Sequence, residues 1–137
     1  MKPKTTWWGT SVPGAVFAAR RTVATDEGLV RNIYASFLDE NASSNALQPA
    51  VLDPQWAWFR WVQCQLLAAL RIFQRYQYRI PDPPTPNVLL KAEHSMHDLD
   101  YVLLASFAGG IETNDTEVEK DFRLVHPDGR VLSFRSK

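Results

Sequence analysis

The sequence predicts a helix-rich α/β domain with a small C-terminal sheet of short, partly parallel strands. One observation is an unbroken amphipathic segment over 54–78, which has the length and periodicity of a helix. A second is the helical spacing of apolar residues over 30–38. The third is a change of pattern after residue 110, where short apolar stretches alternate with turn residues, as strands do. Leu124-Val125 and Val131-Leu132 are predicted to be two such strands, joined by a turn over 126–129.

The N-terminal residues 1–24 are predicted to form an irregular arm. They contain four turn-forming residues, which are Pro3, Gly9, Pro13 and Gly14. The remainder, 25–137, has the length of one ordinary domain. Asp26 and Glu27 favour a helix start near Thr25, because acidic side chains stabilise the positive N-terminal end of a helix.

The segment 54–78 is expected to be the central packed helix. Asp53 can cap it, and Pro54 suits the first helical position. Its apolar face, predicted to meet the core, comprises Trp58, Trp61, Val62, Leu66, Ala69, Leu70, Ile72 and Phe73. The opposite face carries Arg60, Gln63, Cys64, Arg71, Gln74 and Arg75. Two interpretations of that polar face remain open, namely nucleic-acid contact through Arg71 and Arg75, or pairing with the acids of 112–121. For the tryptophans, core packing is favoured over base stacking.

Composition excludes several classes of protein. Fifteen Lys and Arg balance fifteen Asp and Glu, so no net charge attracts nucleic acid or an anionic membrane. The single cysteine excludes an internal disulfide framework, and we expect a reducing compartment. No apolar run is long enough to span a membrane, and no signal peptide is recognisable, so we expect a cytoplasmic protein. Phosphate-binding loops, dinucleotide fingerprints and HExxH motifs are absent from the sequence.

The acid-rich stretch from His97 to Asp115 is the most informative part of the chain. We expect a helix over 98–108 with Ser95 as its cap, followed by a turn at Gly109-Gly110 and a short strand. A strand that runs back along the helix would bring Asp98, and with it Asp100, to Asp115. Converging carboxylates are suited to Mg²⁺ or Mn²⁺, which prefer oxygen ligands and also bind phosphate.

The stretch HDLDYVLLASFAGGIETND resembles the C-terminal half of PIN-like nuclease domains, and the similarity extends over 93–132. In that family an Asp opens a small-residue-rich helix that ends at Gly, and a short strand leads to Thr-x-Asp. Asp98 and Asp115 match the two acids. The resemblance implies metal-dependent endonucleolytic hydrolysis of RNA, with Asp98 and Asp115 catalytic. The metal ligands would be Asp98, Asp100 and Asp115, supported by Thr113, Asn114 and Glu93.

The chain departs from the family at the first acid, which normally ends an N-terminal strand. The only candidate is Asp39, and the residues before it have helical spacing. An alternative function is therefore a non-catalytic interaction module, or half of a split or degenerate domain, with a protein partner or a second copy. Simpler roles also remain open, since Asp98 could stabilise the N-terminal end of its own helix and Asp115 could be an N-cap.

Overall fold

The computed structural model describes residues 12–41, 53–77 and 79–134. Within these ranges the chain forms five helices and two short strands. In order, they are α1 (Val12–Thr25), α2 (Glu27–Asn41), α3 (Ala57–Arg75), α4 (Pro86–Ala108), β1 (Gly110–Glu112), α5 (Thr116–Val125) and β2 (Arg130–Leu132). The helix-rich α/β class predicted from the sequence is confirmed at this level.

Helix α1 occupies most of the segment that was predicted to be an irregular arm, so that prediction is wrong for Val12–Thr25, while residues 1–11 lie outside the described ranges. A proline is tolerated in a first helical turn, where its missing N–H has no partner to lose. Val16, Arg20 and Val23 then recur at helical spacing and are all buried. Helix α2 begins as predicted, with Asp26 Oδ1 accepting a hydrogen bond from the Leu29 N–H at 2.9 Å.

Helix α3 lies within the predicted segment, and the prediction of its buried face is correct only in part. Val62 is buried and Leu66 and Leu70 pack partly buried against the core, but much of the side predicted to be polar is buried as well. Its buried residues are Phe59, Val62, Gln63, Cys64, Leu67, Ala68 and Arg71. Trp58, Trp61 and Phe73 are each more than a third exposed. The polar side turns inward because its polar groups find partners there, as Gln63 does by donating to the Val23 carbonyl at 3.0 Å.

The tryptophans of this segment are therefore surface residues, and the favoured prediction of core packing is wrong. Trp58 and Trp61 stack on each other with ring centroids 4.9 Å apart, and Tyr34 meets Trp58 edge-on at 6.2 Å. Trp56 is about half exposed. The stacked pair shields part of its own apolar surface without entering the core.

Helix α4 begins three turns earlier than predicted. Thr85 is its N-cap, accepting from the Val88 N–H at 3.4 Å, and Pro86 takes the first position. Ser95, expected as the cap, lies buried inside the helix and donates its hydroxyl to the Lys91 carbonyl at 3.0 Å. The predicted end is correct, because Gly109 adopts a left-handed φ of 77° that glycine accepts without strain.

The two strands form a parallel pair in which Ile111 lies opposite Val131. Parallel neighbours require a crossover connection, and α5 supplies it. The predicted strand at Leu124-Val125 is wrong, because these residues form the last turn of α5. There Val118, Phe122 and Val125 recur at helical spacing and are buried.

The core has one main cluster and one satellite. The main cluster joins α1, α3, α4, α5 and β1 around Leu67, Leu99 and Phe122. The satellite lies between α2 and α3 around Val30, Tyr34, Phe59 and Val62. Among the described residues, no helix is both long and apolar enough to cross a membrane.

We expect Leu99→Ala to lower the free energy of unfolding by about 2–5 kcal/mol, because Leu99 is fully buried and alanine leaves a cavity. Leu89→Ala is the matched control on the same helix, since Leu89 is 56% exposed and should cost at most about 0.5 kcal/mol. Urea denaturation of both variants measures the difference. Equal losses would contradict the register of α4.

Candidate functional site

A buried carboxylate organises the centre of the molecule. Asp121 lies on α5 and is 1% exposed. Arg20 of α1 donates to its Oδ1, and Arg71 of α3 donates to its Oδ2. Two guanidinium groups therefore compensate one charge that burial would otherwise make very costly.

Two further carboxylates extend this arrangement. Arg71 Nη1 donates to Asp98 Oδ2 at 2.8 Å, and Arg20 Nη1 lies 3.6 Å from Glu117 Oε2. Glu117, Arg20, Asp121, Arg71 and Asp98 thus form a chain of alternating charges, called here the charge network. It ties α1, α3, α4 and α5 together. The Nε atoms of both arginines are buried with no hydrogen-bond partner among the described residues.

Two titratable groups in or beside the network have shifted pKa values. The hydrogen bond from Lys120, at 2.6 Å, is the main reason that the pKa of Glu117 falls below its usual value, although partial burial opposes this. Burial, and secondarily the negative charge of Asp121, raises the pKa of the Cys64 thiol to about 12. Cys64 therefore stays protonated at neutral pH and is a poor nucleophile.

Asp98 and Asp115 line the same cavity, of about 350 Å³, with Arg71, Gln74, Arg75 and Glu117 as the other lining residues. We call it the Asp98–Asp115 cavity. Asp98 and Asp115 reach one cavity because the chain reverses at Gly109 and β1 returns along α4. The Tyr101 hydroxyl secures this return by donating to the Glu112 carbonyl at 2.9 Å.

Each of these two carboxylates uses one oxygen inside the fold. Asp115 caps α5, and its Oδ1 accepts from the N–H groups of Glu117 at 2.7 Å and Val118 at 3.3 Å. The Oδ2 atom of Asp98 accepts a hydrogen bond from Arg71. Asp98 lies well inside α4, so the simpler role of stabilising its own helix start does not apply. The second oxygen of each has no hydrogen bond within the described ranges.

The other predicted acids do not join this cavity. Asp100 is exposed and lies 4.0 Å from His97, which is also 3.7 Å from Glu93. Asp39 is exposed on α2, so the expected first acid is not supplied there. An α-helix completes one turn in about 3.6 residues, so two positions correspond to slightly more than half a turn. The side chains of Asp98 and Asp100 therefore point to different sides of α4.

Thr113 and Asn114 shape the loop before Asp115. The Thr113 hydroxyl accepts from the Asp115 N–H at 3.0 Å, and Asn114 Oδ1 accepts from the Phe134 N–H at 2.9 Å. Both side chains act on the backbone of the turn. They position Asp115 without contributing ligand atoms to the cavity.

The arginines predicted to contact nucleic acid differ in their surroundings. Arg71 is 8% exposed, and both of its terminal nitrogens pair with carboxylates, so contact with a phosphate requires the network to open. Arg75 is exposed at the cavity and donates to the Lys91 carbonyl at 3.3 Å. Of the two, Arg75 is the one placed for an external ligand.

The donor set of the cavity suits only a hard cation that keeps most of its water. Among the described residues, no three His, Cys, Asp or Glu side chains are grouped to hold a metal ion. Asp98 and Asp115 offer two carboxylate oxygens. Mg²⁺ is commonly bound by one or two carboxylates, with waters and substrate phosphates as its other ligands.

The pairing of Arg71 with an acid of 112–121, which the sequence left open, is confirmed at Asp121. Sequence reasoning missed Arg20 as the second partner and the burial of Asp121. A signal was available in both cases. Asp121 lies in the apolar stripe of α5 formed by Val118, Phe122 and Val125, a position where an acid requires a buried partner. Arg20 lies between Val16 and Val23 in the same way.

We expect Asp121→Ala to lower the free energy of unfolding by about 3–5 kcal/mol, because it leaves Arg20 and Arg71 buried without their shared partner. Asp100→Ala, at an exposed carboxylate, is the control and should change it by about 0.5 kcal/mol or less. Chemical denaturation with urea compares the two. A loss below about 1 kcal/mol for Asp121→Ala would show that the network is not a structural centre.

Comparisons of this chain with protein-family models, with curated proteins and with solved structures give no match. The resemblance of 93–132 to PIN-like domains therefore stays a prediction.

Proposed function

We propose that this chain is a PIN-like domain that hydrolyses phosphodiester bonds of RNA with Mg²⁺ or Mn²⁺ at the Asp98–Asp115 cavity. The observation that carries the proposal is that these two carboxylates line one cavity. They are the two acids that the family resemblance selects. The short strand β1, which follows α4 and leads towards Asp115, agrees with the same resemblance.

The side chains of the cavity have separate tasks in this proposal. Asp98 and Asp115 each offer one oxygen to the cation, while their other oxygens are held by Arg71 and by the start of α5. A bound divalent ion supplies a more acidic water and stabilises charge on the phosphate. Arg75 contacts a phosphate oxygen from the rim of the cavity.

Arg71 also limits the affinity of the cavity for a cation. Its guanidinium is already bound to Asp98 at 2.8 Å, so an arriving divalent ion meets a positive charge beside its ligand. RNA phosphate, which adds negative charge and ligand oxygens, offsets this repulsion. We therefore expect the cation to bind more tightly when RNA is present, and RNA to bind more tightly when the cation is present.

We expect Asp98→Asn and Asp115→Asn each to abolish Mn²⁺-dependent cleavage of single-stranded RNA, because each removes a charged ligand. Asparagine keeps the size of both side chains and can still cap α5. The same variants should lose the rise in melting temperature that Mn²⁺ gives the unsubstituted protein. Asp100→Asn is the control and should retain both properties. Undiminished cleavage in both cavity variants would eliminate this function.

A second candidate is a non-catalytic interaction module that associates with another copy of itself. It is favoured by a set of side chains on α4 and near β2 that are between 46% and 70% exposed, namely Tyr101, Leu104, Phe107, Leu132 and Phe134. The three on α4 recur every third residue and so share one side of the helix. Several large apolar side chains exposed along one side of a helix are typical of an interface.

Light scattering after size exclusion tests the second candidate. The unsubstituted chain should elute with a mass above that of the monomer, and Leu104→Ser with Phe107→Ser should return it to the monomer. Leu89→Ser, at a residue 56% exposed elsewhere on α4, is the control and should leave the assembly intact. A monomer at every concentration would argue against self-association.

A further inference from the structure

A second cavity, of about 620 Å³, lies between α1 and α5. Its walls include Phe17 and Arg21 from α1, Lys120, Arg123 and Leu124 from α5, and Pro127 beyond it. We call this cavity the basic cleft. Its volume is in the range of sites that hold small molecules or one segment of a polymer.

The basic cleft has a strong excess of positive charge in a chain that is neutral overall. Arg20, Arg21, Lys120 and Arg123 line it, and among the described residues Glu117 is the one carboxylate in its lining. Glu117 is already engaged by Lys120 at 2.6 Å and by Arg20 at 3.6 Å. Arg21 forms no ion pair with any described residue. A concave site lined mainly by one sign of charge concentrates ligands of the opposite sign.

The cleft also offers apolar surface. Phe17 is 71% exposed and lies one helical turn before Arg21, while Leu124 and Pro127 line the cleft from α5 and the loop after it. A suitable ligand therefore combines a flat apolar group with an anion. Single-stranded nucleic acid alternates bases, which stack on aromatic rings, with phosphates, which bind cationic side chains.

The existing ion pairs do not close the cleft to such a ligand. Lys120 and Arg123 are more than half exposed, and exposed pairs of this kind contribute little stability. Arg123 donates its Nε to Glu119 at 3.1 Å. Its planar group carries further donors beyond that atom.

The basic cleft borders the Asp98–Asp115 cavity, because Gln74 and Glu117 line both. We infer that single-stranded RNA runs along the basic cleft into the Asp98–Asp115 cavity. Phe17 stacks on a base, and Arg21, Lys120 and Arg123 bind the phosphates. This inference deepens the proposed function and rests on it, since the path ends at the two carboxylates.

Binding is measured apart from cleavage, by the fluorescence anisotropy of a labelled ten-nucleotide oligouridylate in EDTA. Phe17→Ala should weaken binding about fivefold or more through the lost stack. Arg21→Ala combined with Arg123→Ala should weaken it further and lower the slope of log affinity against log salt by about 0.7 for each cation removed. Phe37→Ala and Arg79→Ala, at exposed residues that line neither cavity, are the matched controls and should bind like the unsubstituted chain.

The outcomes separate this inference from the proposed function. Normal binding and cleavage by the Phe17 and Arg21 variants would overturn the RNA path and leave the nuclease intact. If RNA binding depends on the cleft residues but no Mn²⁺-dependent cleavage is seen, the path is supported as a binding surface and the proposed function is eliminated. Uridine monophosphate competing as tightly as the oligonucleotide would overturn the path, because the cleft would then be a site for free nucleotides.

Discussion

The buried contact of Asp121 with Arg20 and Arg71 is the constraint on which the rest of this structure depends. A carboxylate in the core requires compensating charge, and the two arginines reach it from different helices. Helix α3 buries its polar side, which brings Arg71 to Asp121. Trp58 and Trp61 lie on the opposite side of α3 and are therefore exposed. The arrangement of four helices is therefore set by a charge that must be paired.

The same network defines the character of the candidate site. Asp98 is held by Arg71 from within, so its position is fixed before any ligand arrives. The cavity it shares with Asp115 is acidic on one side and borders a basic cleft on the other. Carboxylates beside a cleft lined by cationic side chains suit a negatively charged polymer. The cationic side chains bind the polymer along its length, and the carboxylates hold a metal cation at one point of it.

Local patterns were sufficient for some elements and misleading for others. The start of α2 at Asp26 and the end of α4 at Gly109 depend on nearby backbone groups, so both were predictable. The start of α4 was misplaced because Ser95 resembles a cap, although its hydroxyl bonds back within the helix. The strand expected at Leu124-Val125 was wrong because two apolar residues suit a strand or a helix equally.

The amino-acid pattern alone indicated a helix-rich α/β class, the turn at Gly109-Gly110 and a shared location for Asp98 and Asp115, because each follows from spacing along a short stretch of chain. Folding decided which side of α3 is buried and which charges are paired. The hydrophobic pattern of the α3 segment predicts that Arg71 faces solvent, because the pattern treats a guanidinium as a solvated group. Arg20 and Asp121 reverse that outcome, and they are brought to Arg71 from positions 51 residues before and 50 residues after it.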